Sequence, residues 1–209
     1  MIRKTIDHTK ISTFVVQTPN KEKMNFPTPT GTGFFISDDG YFVTAHHVIK
    51  NVENFKHIRF SLPEITDVLN IEHVKSWPEF DISLLKADFS QNKQRELFKN
   101  RQGFPFLEID FDFQIEGTPI YSYGYPLSRA NIQQLGGLTF GMQMINTRVT
   151  SGIISATKES VNPIRSPNDP KYYVIDGSII YGNSGGPVLL QDTGKVIGLC
   201  VRFQPTPIK

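Results

Sequence analysis

Residues 176–190 read Asp-Gly-Ser-Ile-Ile-Tyr-Gly-Asn-Ser-Gly-Gly-Pro-Val-Leu-Leu, and this stretch decides how the rest of the chain is interpreted. At its centre Ser184 stands among three glycines, Gly182, Gly185 and Gly186. A glycine-rich turn can hold a serine hydroxyl exposed, with main-chain N–H groups beside it, because glycine has no Cβ atom. Acyl transfer needs such a nucleophile, with donors aimed at the oxygen that becomes negative. The stretch therefore indicates a nucleophilic serine.

Two upstream motifs supply the groups that a serine nucleophile needs. Residues 43–48 read Val-Thr-Ala-His-His-Val, and residues 80–85 read Phe-Asp-Ile-Ser-Leu-Leu. A serine hydroxyl alone is a poor nucleophile, so it requires a base and a group that orients the base. The order along the chain is histidine, aspartate, serine. Chymotrypsin-type barrels use this order, whereas subtilisin and the α/β-hydrolases use others.

The sequence resembles the trypsin-like serine peptidases, and within them the HtrA/Deg-type branch. Six short motifs carry this resemblance in the family's order: Gly31-Thr32-Gly33-Phe34, Thr44-Ala45-His46-His47-Val48, Asp81-Ile82-Ser83-Leu84-Leu85, Gly124-Tyr125-Pro126, Val149-Thr150-Ser151-Gly152-Ile153-Ile154-Ser155 and the run from Gly182 to Pro187. Each motif is weak alone, but six in the right order are a specific signal.

The resemblance implies an all-β fold of two six-stranded antiparallel barrels forming one peptidase domain over residues 1–209. The N-terminal barrel would cover residues 11–87, a linker 88–117, and the C-terminal barrel 118–209. The family normally ends with a further strand and a closing helix, for which residues 204–209 are too few. We therefore expect either a piece of a longer protein or a second barrel that is incomplete at its C-terminus. Residues 1–10 are expected to form a loosely docked arm.

The resemblance also gives the site residues their roles. Ser184 would be the nucleophile of a serine endopeptidase, His47 its general base, and Asp81 the carboxylate that orients the imidazole. The main-chain N–H groups of Gly182 and Ser184 would form the oxyanion hole. His46 is the competitor for the base, but the family's histidine directly precedes Val or Cys, which selects His47.

The expected specificity follows from the same comparison of motifs. Ser178, six residues before the nucleophile, matches the base of the pocket for the residue before the cut. Since it is not an aspartate, a preference for Lys or Arg is not supported. Gly198, Leu199 and Cys200 would form the opposite wall, which is small and apolar. We expect cleavage after small or medium apolar residues.

An alternative function is a catalytically silent or conditionally active peptidase-fold module used for recognition within a larger assembly. Family members with Asp before the nucleophile can be activated by binding a newly cut N-terminus, and Asn183 cannot form that ion pair. Regulation is therefore expected from a partner or from ordering of a glycine-rich loop at residues 131–141, next to the site. The expected partners are a protein or peptide substrate and either a larger assembly or a missing C-terminal segment.

Composition narrows the remaining function classes. The chain of 209 residues carries 22 basic and 20 acidic side chains, so its net charge of +2 gives no reason to expect nucleic acid or a membrane. No His/Cys/Asp cluster has the spacing of a metal site, and no cofactor is expected. The single Cys200 excludes an intrachain disulfide. The single cysteine and the lack of an apolar leader after Met1 together favour a cytoplasmic location in a bacterial cell.

Overall fold

The computed structural model describes residues 2–52, 59–61, 70–88, 103–135, 138–159 and 171–201. Most of these residues lie in strands, which confirms the all-β class. The strands are β1 (Thr13–Asn20), β2 (Phe26–Phe35), β3 (Tyr41–Ala45), β4 (Arg59–Ser61), β5 (Asn70–Trp77), β6 (Ile82–Asp88), β7 (Pro119–Gly124), β8 (Arg129–Leu135), β9 (Leu138–Met144), β10 (Arg148–Glu159), β11 (Lys171–Asp176), β12 (Pro187–Leu190) and β13 (Val196–Leu199). Two α-helices are described, α1 (Ile2–Ser12) and α2 (His46–Ile49).

The first sheet contains six strands in the order β4-β1-β2-β3-β6-β5. β3 pairs antiparallel with β6, and Ala45 at the end of β3 lies opposite Ile82 at the start of β6. Antiparallel pairing places the end of one strand beside the start of its partner. The residues that follow Ala45 are therefore brought next to the residue that precedes Ile82.

Phenylalanine rings fill the space beneath this sheet. Phe14, Phe35 and Phe42 are fully buried, and the Phe14 ring centroid lies 4.8 Å from that of Phe35 and 5.2 Å from that of Phe42. Burying one such side chain contributes roughly 1.5–3 kcal/mol. The cluster therefore stabilises the strands that carry the histidine and aspartate motifs.

The second sheet has five strands in the order β11-β10-β7-β12-β13. The serine stretch runs between β11 and β12, and β12 is paired on both sides, with β7 and with β13. A buried cluster of Ile120, Ile154, Val188 and Cys200 supports it. The described strands form a six-stranded, a five-stranded and a two-stranded sheet, so the predicted pair of six-stranded barrels is not confirmed.

A separate hairpin stands where a mobile loop was expected at residues 131–141. β8 and β9 pair from Arg129 opposite Met144 to Leu135 opposite Leu138. The loop prediction was wrong because the glycines suggested a loop, although β9 has a period-two alternation. Its apolar residues share one face of the strand: Leu138, Phe140, Met142 and Met144. All four side chains are exposed. The opposite face contributes Gln143, whose Nε2 donates to Gln17 Oε1 at 2.8 Å.

The first helix replaces the expected N-terminal arm. Thr9 in α1 shares a 2.9 Å hydrogen bond with the Tyr121 hydroxyl, and His8 Nε2 lies 2.7 Å from the carbonyl oxygen of Phe106. The arm prediction was wrong because two polar contacts, which leave no apolar periodicity in the sequence, hold this helix together with Ile6, which packs against the core. Neither helix in the described ranges has the length and apolar character needed to cross a membrane.

Two buried threonines give a matched test of this packing. Thr9 and Thr13 are both fully buried. Thr9 Oγ1 is hydrogen-bonded to Thr5 and Tyr121, whereas Thr13 Oγ1 has no partner among the described residues. We expect Thr13→Val to raise the free energy of unfolding by about 1 kcal/mol, since it removes an unsatisfied hydroxyl, and Thr9→Val to lower it by about 1 kcal/mol. Urea denaturation followed by circular dichroism measures both, and a Thr13→Val protein less stable than the parent contradicts this reading.

Candidate functional site

The structure brings the predicted histidine and aspartate into direct contact. His47 Nδ1 and Asp81 Oδ2 are 2.6 Å apart, and the His47 main-chain N–H donates to Asp81 Oδ1 at 2.8 Å. The N–H of His46 donates to the Asp81 carbonyl oxygen at 2.9 Å. Both carboxylate oxygens therefore bind one residue, and the imidazole ring is fixed in orientation.

Asp81 reaches this position through a strained backbone. It follows the 3₁₀ turn Pro78–Phe80 with φ 57° and ψ 38°, the left-handed region, and its N–H donates to the Pro78 carbonyl at 3.1 Å. Aspartate tolerates this conformation better than most non-glycine residues, because its short polar side chain can bond locally. Strain of this kind concentrates at functional positions.

The imidazole of His47 is open on its other side. Its side chain is 38% exposed, whereas that of Asp81 is 17% exposed. Within the described part of the chain, His47 Nε2 has no hydrogen-bond partner. The ring can therefore exchange a proton at Nε2 while Nδ1 stays engaged by the carboxylate.

The neighbouring His46 faces different partners. Its Nδ1 lies 3.1 Å from Ser83 Oγ, Ser83 Oγ lies 2.7 Å from Ser76 Oγ, and Ser76 Oγ lies 2.8 Å from His73 Nε2. This row of hydrogen bonds runs across β6 and β5. The two adjacent histidines of α2 are thus distinguished by geometry, and only His47 meets a carboxylate.

The serine loop, residues 181–186, is tied to β2 of the first sheet. The carbonyl oxygen of Ser184 accepts from the Thr32 N–H at 2.8 Å, and that of Gly182 accepts from Thr32 Oγ1 at 2.7 Å. The Asn183 N–H donates to the Ile180 carbonyl at 3.1 Å. The loop that carries the candidate nucleophile is therefore held in part by a residue of the other sheet.

Close backbone approach sets the loop against the histidine helix. A Cβ on Gly31 would contact Val48 of α2 and lie 2.8 Å from the Ser184 carbonyl oxygen. Gly185, at φ 82°, leaves no room for a Cβ against Thr32 O and Ala45 N. Ser184 thus lies in the same region as His47 and Asp81. No hydrogen bond joins the Ser184 hydroxyl to the imidazole among the described residues; such bonds are often long before a substrate binds.

The two candidate oxyanion donors are unused. The N–H groups of Gly182 and Ser184 have no acceptor in the described ranges. The Tyr181 carbonyl accepts from the Leu127 N–H at 2.9 Å, and in a trans peptide the following N–H, that of Gly182, points the opposite way. One contact thereby fixes the direction of the Gly182 donor. Leu127 makes it from a left-handed backbone with φ 55°.

The predicted specificity residues fall into two groups. Ser178 is exposed, and a Cβ on Gly198 would meet nothing within 4 Å. Leu199 is partly buried and packs against two hydrophobic core clusters, one in the first sheet and one next to it. Cys200 has a buried thiol. Its N–H donates to the Gly186 carbonyl at 2.9 Å and its own carbonyl accepts from Gly185 N–H at 2.7 Å, so only its main chain adjoins the serine loop.

Three contributors to the site were missed by sequence reasoning. Thr32 and Thr44 lie inside recognised motifs, but they were interpreted only as strand residues. The available signal was a polar residue between glycines, Gly31-Thr32-Gly33, at a position expected to be buried. Leu127 gave no signal, because its contribution is a main-chain N–H.

Comparisons with known proteins identify the family of the chain. The family model described as "Trypsin-like peptidase domain" matches residues 31–199. A "Probable periplasmic serine endoprotease DegP-like" of Rickettsia prowazekii is 30% identical over 191 residues, covering 85% of this chain and 31% of that protein. "Serine protease HTRA1A" of Danio rerio is 29% identical over 179 residues, covering 85% and 31%. The chain therefore spans about a third of the length of these curated relatives.

A solved structure shows the same fold. An HtrA-type protease with a tripeptide superposes with a TM-score of 0.65 at 22% sequence identity, covering 95% of this chain and 53% of that one. At this level of identity the likeness concerns the fold alone.

The predicted cytoplasmic location is contradicted by these comparisons. Relatives from Rickettsia prowazekii and Rhizobium meliloti are named periplasmic endoproteases. The prediction failed because a single cysteine shows only that no intrachain disulfide is required, which suits an oxidising compartment equally well. The first residues fold as α1 of the domain and carry no information about export.

The buried thiol gives a test of the packing behind the serine loop. Burial raises the pKa of Cys200 to about 11, against the ordinary 9.0, and its hydrogen bond with Ser122 opposes the shift. The thiol is therefore protonated at pH 8, and we expect iodoacetamide to modify the native protein at less than roughly a tenth of the rate for the urea-unfolded protein.

The same pKa shift has a pH signature in stability. The unfolded chain loses the Cys200 proton near pH 9, before the folded protein does, so the free energy of unfolding should fall as the pH rises from 9 towards 11. The Cys200→Ala protein should show a smaller fall over this window. Rapid alkylation of the native protein at pH 8 contradicts the buried placement.

Proposed function

Because this chain belongs to the trypsin-like peptidase family, we propose that it is a serine endopeptidase that hydrolyses peptide bonds through an acyl-enzyme on Ser184. His47 takes the serine proton and returns it to the leaving amine, and Asp81 orients and stabilises the imidazole. One observation carries the proposal: both carboxylate oxygens of Asp81 bind His47, at 2.6 and 2.8 Å. This leaves Nε2 free to act as the general base.

The oxyanion of the tetrahedral intermediate would be held by the N–H groups of Gly182 and Ser184. Their lack of an acceptor within the described part of the chain supports this role, as does the contact of Leu127 with the Tyr181 carbonyl. Preorganised donors of this kind are worth about 10²–10³ in turnover each.

The two halves of the domain would divide the chemistry between them. Residues 11–87 supply the base and the carboxylate, residues 118–209 supply the nucleophile and the oxyanion donors, and 88–117 connect them. The sheet orders support this division, because β1–β6 and the strands from β7 onward form separate sheets. Protein or peptide substrates follow from the family.

A conditionally active module is the second candidate. It is favoured by the absence of a hydrogen bond between Ser184 and His47 among the described residues. Binding of a substrate or partner would then bring these two side chains into contact. A recognition module without any activity has the same fold but no need for an oriented imidazole.

The proposal is tested by labelling with a fluorophosphonate, which reacts with activated serines. We expect the parent protein to be labelled and Ser184→Ala to remain unlabelled. Asp81→Asn should lower turnover of a peptide substrate by about 10⁴, because the imidazole is then held in the wrong tautomer. Circular dichroism of each variant controls for folding.

The outcomes separate the candidate functions. Labelling only when a polypeptide substrate is added supports the conditional module. Absence of labelling under every condition contradicts the endopeptidase. Equal labelling of Ser184→Ala removes Ser184 as the nucleophile.

The preference for small or medium apolar residues before the cut has its own test. Since a Cβ at Gly198 meets nothing within 4 Å, Gly198→Val should fold normally and occupy space beside β13. We expect kcat/KM for a peptide with Met before the cut to fall about tenfold more than for one with Ala. Matched peptide pairs measure this ratio, and urea denaturation checks stability. Faster cleavage after Lys than after Ala or Val contradicts the preference.

A further inference from the structure

Thr32 of β2 makes an unusual number of hydrogen bonds to the site. Its N–H donates to the Ser184 carbonyl at 2.8 Å, and its hydroxyl donates to the Gly182 carbonyl at 2.7 Å. The hydroxyl also accepts from the Tyr125 N–H at 3.2 Å. Thr32 is fully buried. One side chain from the first sheet therefore links two segments of the second.

The Thr32 hydroxyl binds the part of the serine loop whose backbone is most free to change conformation, at Gly182. Gly182 has φ 99°, a conformation in which only glycine is unstrained, and glycine moves out of it as readily as into it. Two contacts fix the peptide that joins Gly182 to Asn183: Thr32 Oγ1 on its carbonyl, and the Ile180 carbonyl on its N–H at 3.1 Å. Without the hydroxyl, this planar peptide keeps only the contact between its N–H and Ile180, and it can rotate more easily about the bonds on either side.

Thr32 also connects the loop to the histidine side of the site. Its carbonyl oxygen accepts from Thr44 Oγ1 at 2.7 Å, and Thr44 is followed by Ala45, the N-cap of α2. The same residue therefore sets the separation between the Ser184 loop and the helix that carries His47.

We propose that Thr32 is a positioning residue, whose side-chain hydroxyl holds the Gly182 peptide so that the oxyanion donors and Ser184 keep a productive geometry. This rests on the proposed endopeptidase function and deepens it. Thr32 does not touch the substrate; it acts through Gly182 and Ser184. The requirement is for the hydroxyl itself and not for the bulk of the side chain.

Two substitutions separate hydroxyl from bulk. Thr32→Val keeps the β-branched shape but leaves the Gly182 carbonyl and Tyr125 N–H without their partner. Thr32→Ser keeps the hydroxyl and removes a methyl group. The matched control is Thr9→Val, the same chemical change at a fully buried threonine whose hydroxyl bonds Thr5 and Tyr121 instead of the serine loop.

Steady-state hydrolysis of a peptide substrate gives the first readout. We expect Thr32→Val to lower kcat by about 10–100-fold with KM changed less than about threefold, because the lost interaction serves the transition state. Thr32→Ser should stay within about threefold of the parent, and so should Thr9→Val. A Thr32→Val protein with parental kcat overturns the proposal, and so does a Thr32→Ser protein as impaired as Thr32→Val.

Amide hydrogen exchange gives a second readout that does not need activity. The Asn183 and Gly185 amides, which donate to Ile180 and Cys200, should exchange at least about tenfold faster in Thr32→Val, but not in Thr32→Ser or Thr9→Val. If no variant or parent protein hydrolyses peptides, the proposed function fails while exchange still tests whether Thr32 holds the loop. Unchanged exchange in Thr32→Val overturns the positioning role, even if the endopeptidase function stands.

Discussion

The geometry of the candidate site depends on hydrogen bonds that cross from one sheet to the other. The serine loop has glycines at the positions where it must bend, and such a segment has little stiffness of its own. Contacts from other segments impose its shape: Thr32 on two carbonyl oxygens, Leu127 on a third, and the Cys200 main chain on Gly185 and Gly186. The order of the loop around Gly182 and Ser184 therefore depends in part on the packing of the two sheets against each other.

The histidine side is built on a different principle. There the register of β3 with β6 places Ala45 opposite Ile82, so the residues just beyond these strand ends meet without any loop having to be held. A strand register is locked by many hydrogen bonds and by the buried phenylalanines beneath it. His47 and Asp81 are thus positioned by the sheet, whereas Ser184 is positioned by contacts to neighbouring segments.

This difference explains what could be predicted from the sequence. The order of the motifs and the family resemblance that they carry were enough to predict that His47 and Asp81 belong to one site. The hydrogen bonds of Thr32 and Leu127 could not be predicted, because they involve main-chain groups of residues far apart in the chain. Helix α1 and the β8–β9 hairpin were missed for two different reasons. Much of the contact that holds α1 is polar and leaves no apolar pattern, whereas the alternation of apolar residues along β9 was obscured by the neighbouring glycines. The compartment could not be deduced from the cysteine content, because a single cysteine shows only that folding requires no intrachain disulfide.

The backbone of Asp81 has a consequence for anyone who would make this protein more robust. A left-handed conformation costs most residues about 1–2 kcal/mol, and glycine relieves it entirely. Selection for thermal tolerance alone would therefore favour glycine at this position, and the gain would come at the expense of the carboxylate that orients His47. Thermal stability and the proposed activity would therefore compete at this one position, and a library screened for stability alone should accumulate well-folded variants that lack the carboxylate.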